Sequence, residues 1–358
     1  MNILNKHKTT ASAVGAQPQY GYGELKIGVL GSGGHYKGNF KDGKPNGTGK
    51  MKWVLNSYDG EWMNGMRHGK GTMKWVKEKY DGEWQNDKRH GTGVMKYALG
   101  DVYDGEWADD KKHGKGRWTF NTLHRWYDGD WKNDLKDGEG KSLYNGNLYF
   151  GEYKEDLKCG HGKMEYKDGS VYDGEWKEDV KWGFGTMTYK EGNVYNGEWE
   201  SDKRCGEGKL KYSNNSPTDE FVGHWRDDER DGWGKETFKD GSIHEALYHA
   251  ASKSTSNDKH TFANGDCYEG EWRDGRMNGA GKFTPAGKSM HQGYWKDGEE
   301  IDKAVYDSLQ HDLQVKEERE QTKKALVAPL KGSAKVAVKQ TKKALVGSAK
   351  VAANVINY

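Results

Sequence analysis

The sequence predicts an all-β protein in which consecutive β-hairpins pair into one long antiparallel sheet, followed by an α-helical, lysine-rich C-terminal tail. Three observations lead to this fold class. A short motif of aromatic residues and glycines recurs along most of the chain. Within each motif, aromatic residues and glycines alternate with charged or polar residues, which is the two-residue period of a β-strand. Glycine-containing turn sequences separate the motifs, as expected of hairpins.

The repeat has two parts. The first is an aromatic residue, any residue, glycine, any residue and a second aromatic residue; we call its first residue the anchor. The second part is Gly-x-Gly, which begins eleven residues after each anchor. Anchors are 22 to 26 residues apart, except across one double-length gap, so the return to the next repeat varies as a surface loop does. The anchors are Tyr36, Tyr58, Tyr80, Tyr103, Tyr127, Tyr149, Tyr172, Tyr195, Phe221 and Tyr268, with a weaker unit at His291.

Alternation assigns each repeat to two strands. In "YDGEW", Tyr80, Gly82 and Trp84 are predicted to share one face, with Asp81 and Glu83 on the other. In the following "GTGVMKY", the second glycine, the methionine and the tyrosine share a face. Turn signals such as "KDGS" and "KEGN" come next, and glycine accepts their positive φ without steric cost.

The glycines have a predicted packing role. An aromatic ring on one strand needs room, and a glycine on the neighbouring strand supplies it by having no side chain. A continuous stripe of rings over bare backbone should result. The predicted stripe residues are Tyr58, Gly60, Trp62, Tyr80, Gly82, Trp84, Tyr103, Gly105, Trp107, Tyr172, Gly174, Trp176, Tyr195, Gly197 and Trp199.

On the opposite face, an acidic residue of the first strand is expected to pair with lysines such as Lys52, Lys74 and Lys96. Each cross-strand pair of this kind contributes roughly 0.2–1 kcal/mol, so this face is expected to support the sheet without deciding its stability. The acidic residues are Glu61, Glu83, Glu106, Asp130, Glu152, Glu175, Glu198 and Glu271.

With its consensus "YDGEWxNxxxHGxGxMxYxxGxxY", the repeat resembles the MORN repeat (membrane occupation and recognition nexus) between Tyr36 and Trp295. This resemblance implies an elongated, twisted ribbon of hairpins. It also implies a scaffold, a platform for protein partners or an accessory module. Related roles lie in cytoskeletal, ciliary and other large assemblies, and relatives occur in large viruses.

Composition and pattern divide the chain into four segments. Residues 1–19 are predicted to be flexible, and residues 20–298 to form a ribbon of about twelve registers that is degenerate at 239–267. Residues 299–328 are predicted to form an amphipathic helix, and residues 329–358 a basic tail rich in lysine and alanine. The early "GYG" supplies the second strand of a half-repeat at the N-terminal edge.

The degenerate segment has two readings. His244, Ala246 and Tyr248 stand where a regular repeat has the anchor, the glycine and the second aromatic residue, which indicates a hairpin whose motif has diverged. The alternative is a helical turn over residues 243–251, because "HEALYHAA" favours helix. We favour the hairpin, and in both cases expect the weakest point of the sheet here.

The C-terminal edge predicts self-association. "HQGYWKDGEE" ends the sheet without a matching Gly-x-Gly strand, and unpaired edges recruit other strands unless they are covered. The stripe of Ile301, Val305, Leu309 and Leu313 in the following helix either folds back over this edge or pairs with a second copy of the chain. We favour a homodimer, because the stripe extends past the width of one hairpin.

Composition excludes several classes of protein. The formal net charge of +2 does not indicate a nucleic-acid binder, and three cysteines do not make a disulfide framework. The first residues lack the apolar core of a signal peptide, no apolar run is long enough to span a membrane, and no lipidation motif is evident. We therefore expect a cytoplasmic protein associated with the cytoskeleton or another assembly.

No catalytic, cofactor or metal site is predicted. His68, His90 and His113 recur at one repeat position, but hairpins advance roughly 10 Å each, too far for a shared zinc ion, so a role in the turn is expected. Cys159 and Cys205 are likewise too far apart for a disulfide in a straight ribbon. "GVLGSGGHYKGNF" opens a further hairpin where a phosphate loop needs a helix.

The tail is the one segment with a predicted ligand. It has lysines and no acidic residue from Gln321 onwards, which suits an anionic membrane surface, nucleic acid or an acidic protein surface, although no specific nucleic acid is expected. A solvated, partly helical tail is the alternative. The candidate contact residues are Lys323, Lys324, Lys331, Lys335, Lys339, Lys342, Lys343 and Lys350.

Three functions are consistent with these features. The first is a non-enzymatic scaffold that presents equivalent positions to the proteins of a large assembly, of cytoskeletal, ciliary or viral-particle type. The second is a peripheral membrane module that binds anionic phospholipid through the tail. The third is an accessory subunit of an enzyme such as a lipid kinase. We favour the scaffold, because the repeat accounts for most of the chain without assigning chemistry to any residue.

Overall fold

The computed structural model describes residues 18–27, 33–121, 124–249, 252–253, 258–273 and 275–327. The described part divides into two compact units, one up to residue 265 and the other from residue 266 onwards. Both are built mainly from antiparallel β-strands, and the second ends in an α-helix. The predicted all-β class with a C-terminal helix is therefore confirmed.

In the first unit the described residues form short strands, most of them seven to ten residues long. In chain order they are β1 (Tyr20–Ile27), β2 (Gly34–Lys41), β3 (Lys44–Lys52), β4 (Ser57–Met63), β5 (Met66–Lys74), β6 (Lys79–Gln85), β7 (Lys88–Lys96), β8 (Val102–Ala108), β9 (Lys111–Phe120), β10 (Arg125–Lys132), β11 (Leu135–Tyr144), β12 (Asn147–Lys154), β13 (Leu157–Glu165), β14 (Val171–Lys177), β15 (Val180–Thr188), β16 (Val194–Glu200), β17 (Lys203–Lys211), β18 (Thr218–Arg226), β19 (Glu229–Phe238), β20 (Ile243–His249), β21 (Ser252–Lys253) and β22 (Asp258–Thr261).

Each strand from β1 to β20 pairs antiparallel with the next strand in the chain. Glycine lies opposite glycine across successive strands, as where Gly82 faces Gly93 and Gly93 in turn faces Gly105. β1 enters the same ladder with Gly23 opposite Gly38. Motif residues therefore align across the whole of this sheet.

A two-residue turn explains the constant separation of eleven residues between anchor and Gly-x-Gly. Between β6 and β7 the turn consists of Asn86 and Asp87, with φ angles of 50° and 69°. Positive φ at both residues is the type I′ geometry, whose twist matches that of the flanking strands. The same strand pairing has a bulge close to the turn, where its register shifts between Gly82 and Trp84. An insertion here would disturb both, whereas the other connection can vary.

The part of the degenerate segment that contains His244, Ala246 and Tyr248 is a strand, β20. β20 pairs with β19 in the usual register, with Ala246 opposite Gly234 and Tyr248 opposite Gly232. Its buried residues alternate with more exposed ones, as in a half-buried strand. Within the part of this segment that the structure describes, β22 then pairs with three residues of β20. The structure therefore has the hairpin alternative here and not the helical turn.

The second unit contains one full hairpin, one partial hairpin and the helix. Its elements are β23 (Cys267–Arg273), β24 (Arg276–Thr284), β25 (His291–Lys296), β26 (Glu299–Ile301) and α1 (Lys303–Val327). β26 pairs with β25, so the prediction that this last strand has no partner is wrong: a three-residue strand supplies one. Across the described residues, no helix has the length and apolar character needed to cross a membrane.

The helix packs on the last strands through Tyr306, and Ile301 and Leu309 of the predicted stripe are half-buried on the same side. The Tyr306 ring lies 4.6 Å from the Tyr294 ring, centroid to centroid. Val305 and Leu313, which belong to the predicted stripe, are 48% and 41% exposed. The helix therefore covers part of this edge within the unit and leaves two apolar side chains in contact with solvent.

Candidate interaction surface

The core of the first unit is a row of tyrosine and tryptophan rings, which we call the ring row. The Tyr80 ring is fully buried, and its hydroxyl donates a hydrogen bond to the Glu83 carbonyl oxygen at 2.9 Å. Burial raises the pKa of this phenol. A Cβ atom on Gly93, in the next strand, would collide with the ring. Glycine thus makes room for the anchor.

Each tryptophan connects its repeat to the one before. The Trp84 indole N–H donates to the Gly71 carbonyl oxygen at 3.0 Å. Its ring packs edge-on against Tyr58 and Tyr80, with centroids 5.5 and 5.1 Å away, and such pairs contribute about 0.5–1.5 kcal/mol beyond the buried area. The predicted stripe residues lie in this row or face it as glycines: Tyr58, Gly60, Trp62, Tyr80, Gly82, Trp84, Tyr103, Gly105, Trp107, Tyr172, Gly174, Trp176, Tyr195, Gly197 and Trp199.

Basic side chains lie on these rings and were missed by the sequence analysis; we call them the cation row. The Arg89 guanidinium carbon lies 4.0 Å from the centre of the Trp107 ring. Its Nε donates to Asp110 Oδ1 at 3.0 Å and its Nη2 to the Asp110 carbonyl oxygen at 2.7 Å. Cations over an indole ring are stabilised by its negative face. The row consists of Arg67, Arg89, Lys112, Lys136, Lys158, Lys181, Arg204 and Arg230.

A periodic signal for the cation row is present in the sequence. A basic residue stands two positions before Gly-x-Gly, as Arg89 does before Gly91, and an aspartate stands in the turn of the following repeat. Arg89 and Asp110 are 21 residues apart, so their contact depends on how neighbouring hairpins align. The sequence pattern therefore shows both positions but not that Arg89 and Asp110 are in contact.

The predicted cross-strand pairing of strand acids with lysines occurs at Asp130, which lies 2.6 Å from the Lys115 amine, but most of the other acids have a different partner. Glu61 accepts the backbone N–H of Lys70 at 3.0 Å, and Glu83 accepts the Thr92 hydroxyl at 2.7 Å. The first glycine of each Gly-x-Gly has positive φ, so the backbone bends there and turns the following N–H towards the acid. The register places Lys96 opposite Val102 and Lys79, away from these carboxylates. These carboxylates therefore accept hydrogen bonds from backbone N–H groups at the bend.

Lys112 is the most deeply buried member of the cation row, at 6% exposed. Its amine lies 3.4 Å from the centre of the Trp118 ring and 4.1 Å from that of Trp131. Burial lowers the pKa of Lys112 to about 8, although Asp134 and Asp156 favour the charged form. Trp118 stands at the repeat position that is methionine in several other repeats, such as Met95. The Lys112 amine therefore lies between two indole rings.

A groove interrupts the ring row near Ser142; we call it the Ser142 groove. Ser142 stands where other repeats have a buried methionine, and Tyr153 stands where they have tryptophan. Their hydroxyl oxygens lie 2.8 Å apart. The smaller side chain leaves a cavity of about 450 Å³, whose basic lining residues are Arg125, Lys136 and Lys158. Sequence analysis missed this site, although the serine at a methionine position marks it.

The predicted histidine and cysteine positions hold no grouped ligands. His68 and His90 lie in the strand after the turn and not in the turn itself. Among the described residues no group of three or more histidine, cysteine or acidic side chains is placed to hold a metal ion. Cys159 and Cys205 are free thiols, and burial raises the pKa of each.

The structure places only two of the predicted anionic-contact lysines. Lys323 and Lys324 are exposed near the C-terminal end of α1. Lys331, Lys335, Lys339, Lys342, Lys343 and Lys350 lie outside the described residues.

The sequence model of the MORN repeat matches ten segments of the chain. They cover more than half of its length and coincide with the hairpins of both units. The matched residues are 36–54, 58–77, 80–102, 103–125, 127–147, 149–171, 172–194, 195–216, 221–243 and 268–286.

Among curated proteins, none matches the sequence. Among solved structures, the chain is similar to the TCP domain of SAS-4 (dCPAP) from Drosophila melanogaster in complex with a proline-rich motif of Ana2 (dSTIL). The identity is 11% and the TM-score 0.17, over 52% of this chain and 82% of that chain. At this TM-score the similarity carries no argument about function.

Proposed function

The chain belongs to the MORN-repeat family, and we propose that it is a non-enzymatic scaffold for the proteins of a large assembly of cytoskeletal, ciliary or viral-particle type. MORN repeats are modules for protein or membrane interaction. One observation carries the proposal: a basic residue of the cation row recurs from hairpin to hairpin beside an aspartate in the turn of the next repeat. Arg67 with Asp87, Arg89 with Asp110, and Arg204 with Asp228 have nearly the same contacts. Such recurrence offers partners a series of equivalent positions about 10 Å apart.

Site-specific photo-crosslinking tests the scaffold. A photoreactive residue replaces Thr92, Glu139 or Glu207, which occupy the same exposed position of three repeats, in cells that naturally make the protein. We expect different proteins to be captured from different repeats. Capture of one enzyme at every position contradicts the scaffold and favours the accessory subunit.

A peripheral membrane module is the second proposal, and the turns of the first repeats favour it. Val54, Leu55, Val76 and Leu99 are 67–80% exposed in these turns, where later repeats carry "KDGS" or "KEGN". Apolar side chains next to lysines suit the boundary of an anionic bilayer. Sedimentation with phosphatidylserine vesicles tests it: both a chain ending at residue 320 and one with serine at these four positions should bind less than the full chain.

A second copy of the chain remains a proposed partner, since Val305 and Leu313 stay partly exposed on α1. Light scattering on the full chain and on its Val305→Ser, Leu313→Ser variant tests this. We expect a dimer that the double substitution converts to a monomer. A full chain that is monomeric at tens of micromolar contradicts the dimer.

A further inference from the structure

The Ser142 groove differs from the rest of the ring row in having unfilled space. Methionine at this repeat position is buried in several other repeats, as Met95, Met164 and Met187 show. Serine cannot fill that volume, and the Tyr153 hydroxyl turns towards it. A cavity of about 450 Å³ lies within the range of pockets that bind ligands. The space is thus sufficient for a large side chain from another molecule.

The groove has aromatic walls. Tyr127, Tyr149 and Tyr153 line it from the ring row, and Tyr144, which is 52% exposed, lies at its rim. Aromatic walls favour an apolar or aromatic guest through buried area and edge-on ring packing. A small inorganic anion would leave most of this surface in contact with water.

The charges of the groove are not balanced. Arg125, Lys136 and Lys158 line it together with Asp156 and Asp179, which leaves one net positive charge. Both aspartates already accept the backbone N–H groups of Lys136 and Lys158, at 2.9 and 3.0 Å. Lys158 also reaches Asp179 with its amine at 3.4 Å. The lining acids are therefore engaged by the fold.

Two of the three cations have groups that the fold does not engage. Lys136 is in no ion pair with a described residue, and its amine lies 5.3 Å from the centres of the Tyr127 and Tyr153 rings. The Arg125 guanidinium stacks on Tyr144 at 4.2 Å, while its buried Nε has no hydrogen-bond partner among the described residues. An anionic group from a partner would balance the charges of the Lys136 amine and the Arg125 guanidinium.

We propose that the Ser142 groove binds an acidic protein segment, which inserts one large apolar side chain next to Ser142 and places flanking carboxylates against Arg125 and Lys136. This proposal rests on the proposed role as a protein platform and names the partner chemistry of one position. The apolar side chain fills the volume that methionine fills elsewhere. The carboxylates match the excess positive charge and so determine which segments bind.

Fluorescence anisotropy on the full chain tests the site with three labelled nonapeptides. The first has a central phenylalanine flanked by glutamates, the second has alanine in its place, and the third has phenylalanine flanked by lysines. We expect the first to bind, the second to bind about tenfold more weakly or worse, and the third not to bind. Equal binding of the first two, or no binding of the first, overturns the proposal.

Two substitutions with matched controls locate the binding. Ser142→Met restores the regular repeat and should weaken binding of the first peptide about tenfold, whereas Leu210→Met, at the same position three repeats later, should leave it unchanged. Lys136→Gln should weaken binding severalfold and reduce its salt dependence, whereas Lys181→Gln should not. Unchanged binding by Ser142→Met overturns the site, and so does displacement by inorganic phosphate or phosphatidylserine vesicles.

Different experimental results would contradict the platform role and the proposed peptide site. If photo-crosslinking captures different proteins at different repeats while Ser142→Met binds peptide normally, the site is wrong and the platform stands. If crosslinking captures one enzyme at every repeat, the platform role is wrong whatever the peptide does.

Discussion

The hairpin of β6 and β7 and the degenerate hairpin that begins with β20 show what the repeat motif is needed for. In the first, Tyr80 packs over paired glycines and the buried groups are apolar. In the second, His244 replaces the anchor and Ala246 the glycine, and Glu236 and Asp258 of the adjoining strands are also buried. Both first strands nevertheless pair in the same register with the strand before them.

The difference appears on the other side of each strand. A Cβ atom on Gly82 would collide with the Cα atom of Gly93 in the following strand. Ala246 carries such a Cβ, and the described pairing of β20 with later strands stops at Glu245 and resumes at Tyr248. A strand can therefore join the strand before it without the motif glycine, and on its other side Ala246 coincides with an interruption in the described pairing.

Alkaline pH is expected to have the largest effect on the regular repeats. Burial raises the pKa of anchors such as Tyr80 and Tyr103 above the ordinary 10.0. The folded chain therefore resists a proton loss that the unfolded chain undergoes near pH 10. The stabilisation is complete below that pH and is lost as pH rises above it, and the losses add over the repeats. Urea midpoints should fall increasingly steeply as pH rises above about 10.

Tyr80→Phe is the control for this effect, because Phe221 shows that phenylalanine fits the anchor position. At neutral pH it should cost about 1 kcal/mol for the lost hydrogen bond to Glu83. Its midpoint should fall less than that of the unmodified chain above about pH 10. An identical pH profile for the two chains would show that the anchors do not cause the alkaline loss.

Trp107→Ala should have the next largest effect. The indole is 3% exposed, donates to the Gly93 carbonyl oxygen and supports Arg89. Removing a large buried ring costs about 3–5 kcal/mol, measured as a change in the free energy of unfolding in urea. Glu106→Ala, which only releases the exposed N–H of Lys115, should cost about 1 kcal/mol. Equal losses would contradict the assignment of the faces.

Gly82→Ala tests the comparison directly, because it places in a regular repeat the methyl group that Ala246 has. We expect a loss of about 3 kcal/mol from the collision with β7. Amide hydrogen exchange should be faster in β7 than in β5, as the strand after the new methyl group is displaced. Ala246→Gly, the reverse change, should alter stability by under about 1 kcal/mol. Uniform exchange on both sides would contradict the role given to the glycine.

Glu236→Gln is expected to have a smaller effect than Trp107→Ala and Gly82→Ala. The buried carboxylate lies 3.4 Å from Arg230 and accepts the Thr218 hydroxyl at 3.2 Å. Loss of its charge should cost about 1.5–3 kcal/mol. Glu207→Gln, which changes an exposed carboxylate beside His224, should cost under about 1 kcal/mol. If the two variants unfold at the same urea concentration, the polar cluster at β19 does not stabilise the degenerate hairpin.

The sequence by itself determined the hairpins, their register and the buried face. Each of these follows from a local period: an alternation of two along a strand, and a constant eleven residues from Tyr80 to Gly91. A glycine opposite a ring has one simple physical explanation, and the structure has that arrangement at every regular repeat.

Only the tertiary structure decided where the charges and the empty space lie. Arg89 meets Asp110 because a turn and a bulge bring residues of two hairpins together. Glu83 turns to a backbone N–H because positive φ at Gly91 redirects it. The Ser142 groove depends on the side chains of several neighbouring strands at once. Such features depend on distances between hairpins, which a pattern within one repeat does not contain.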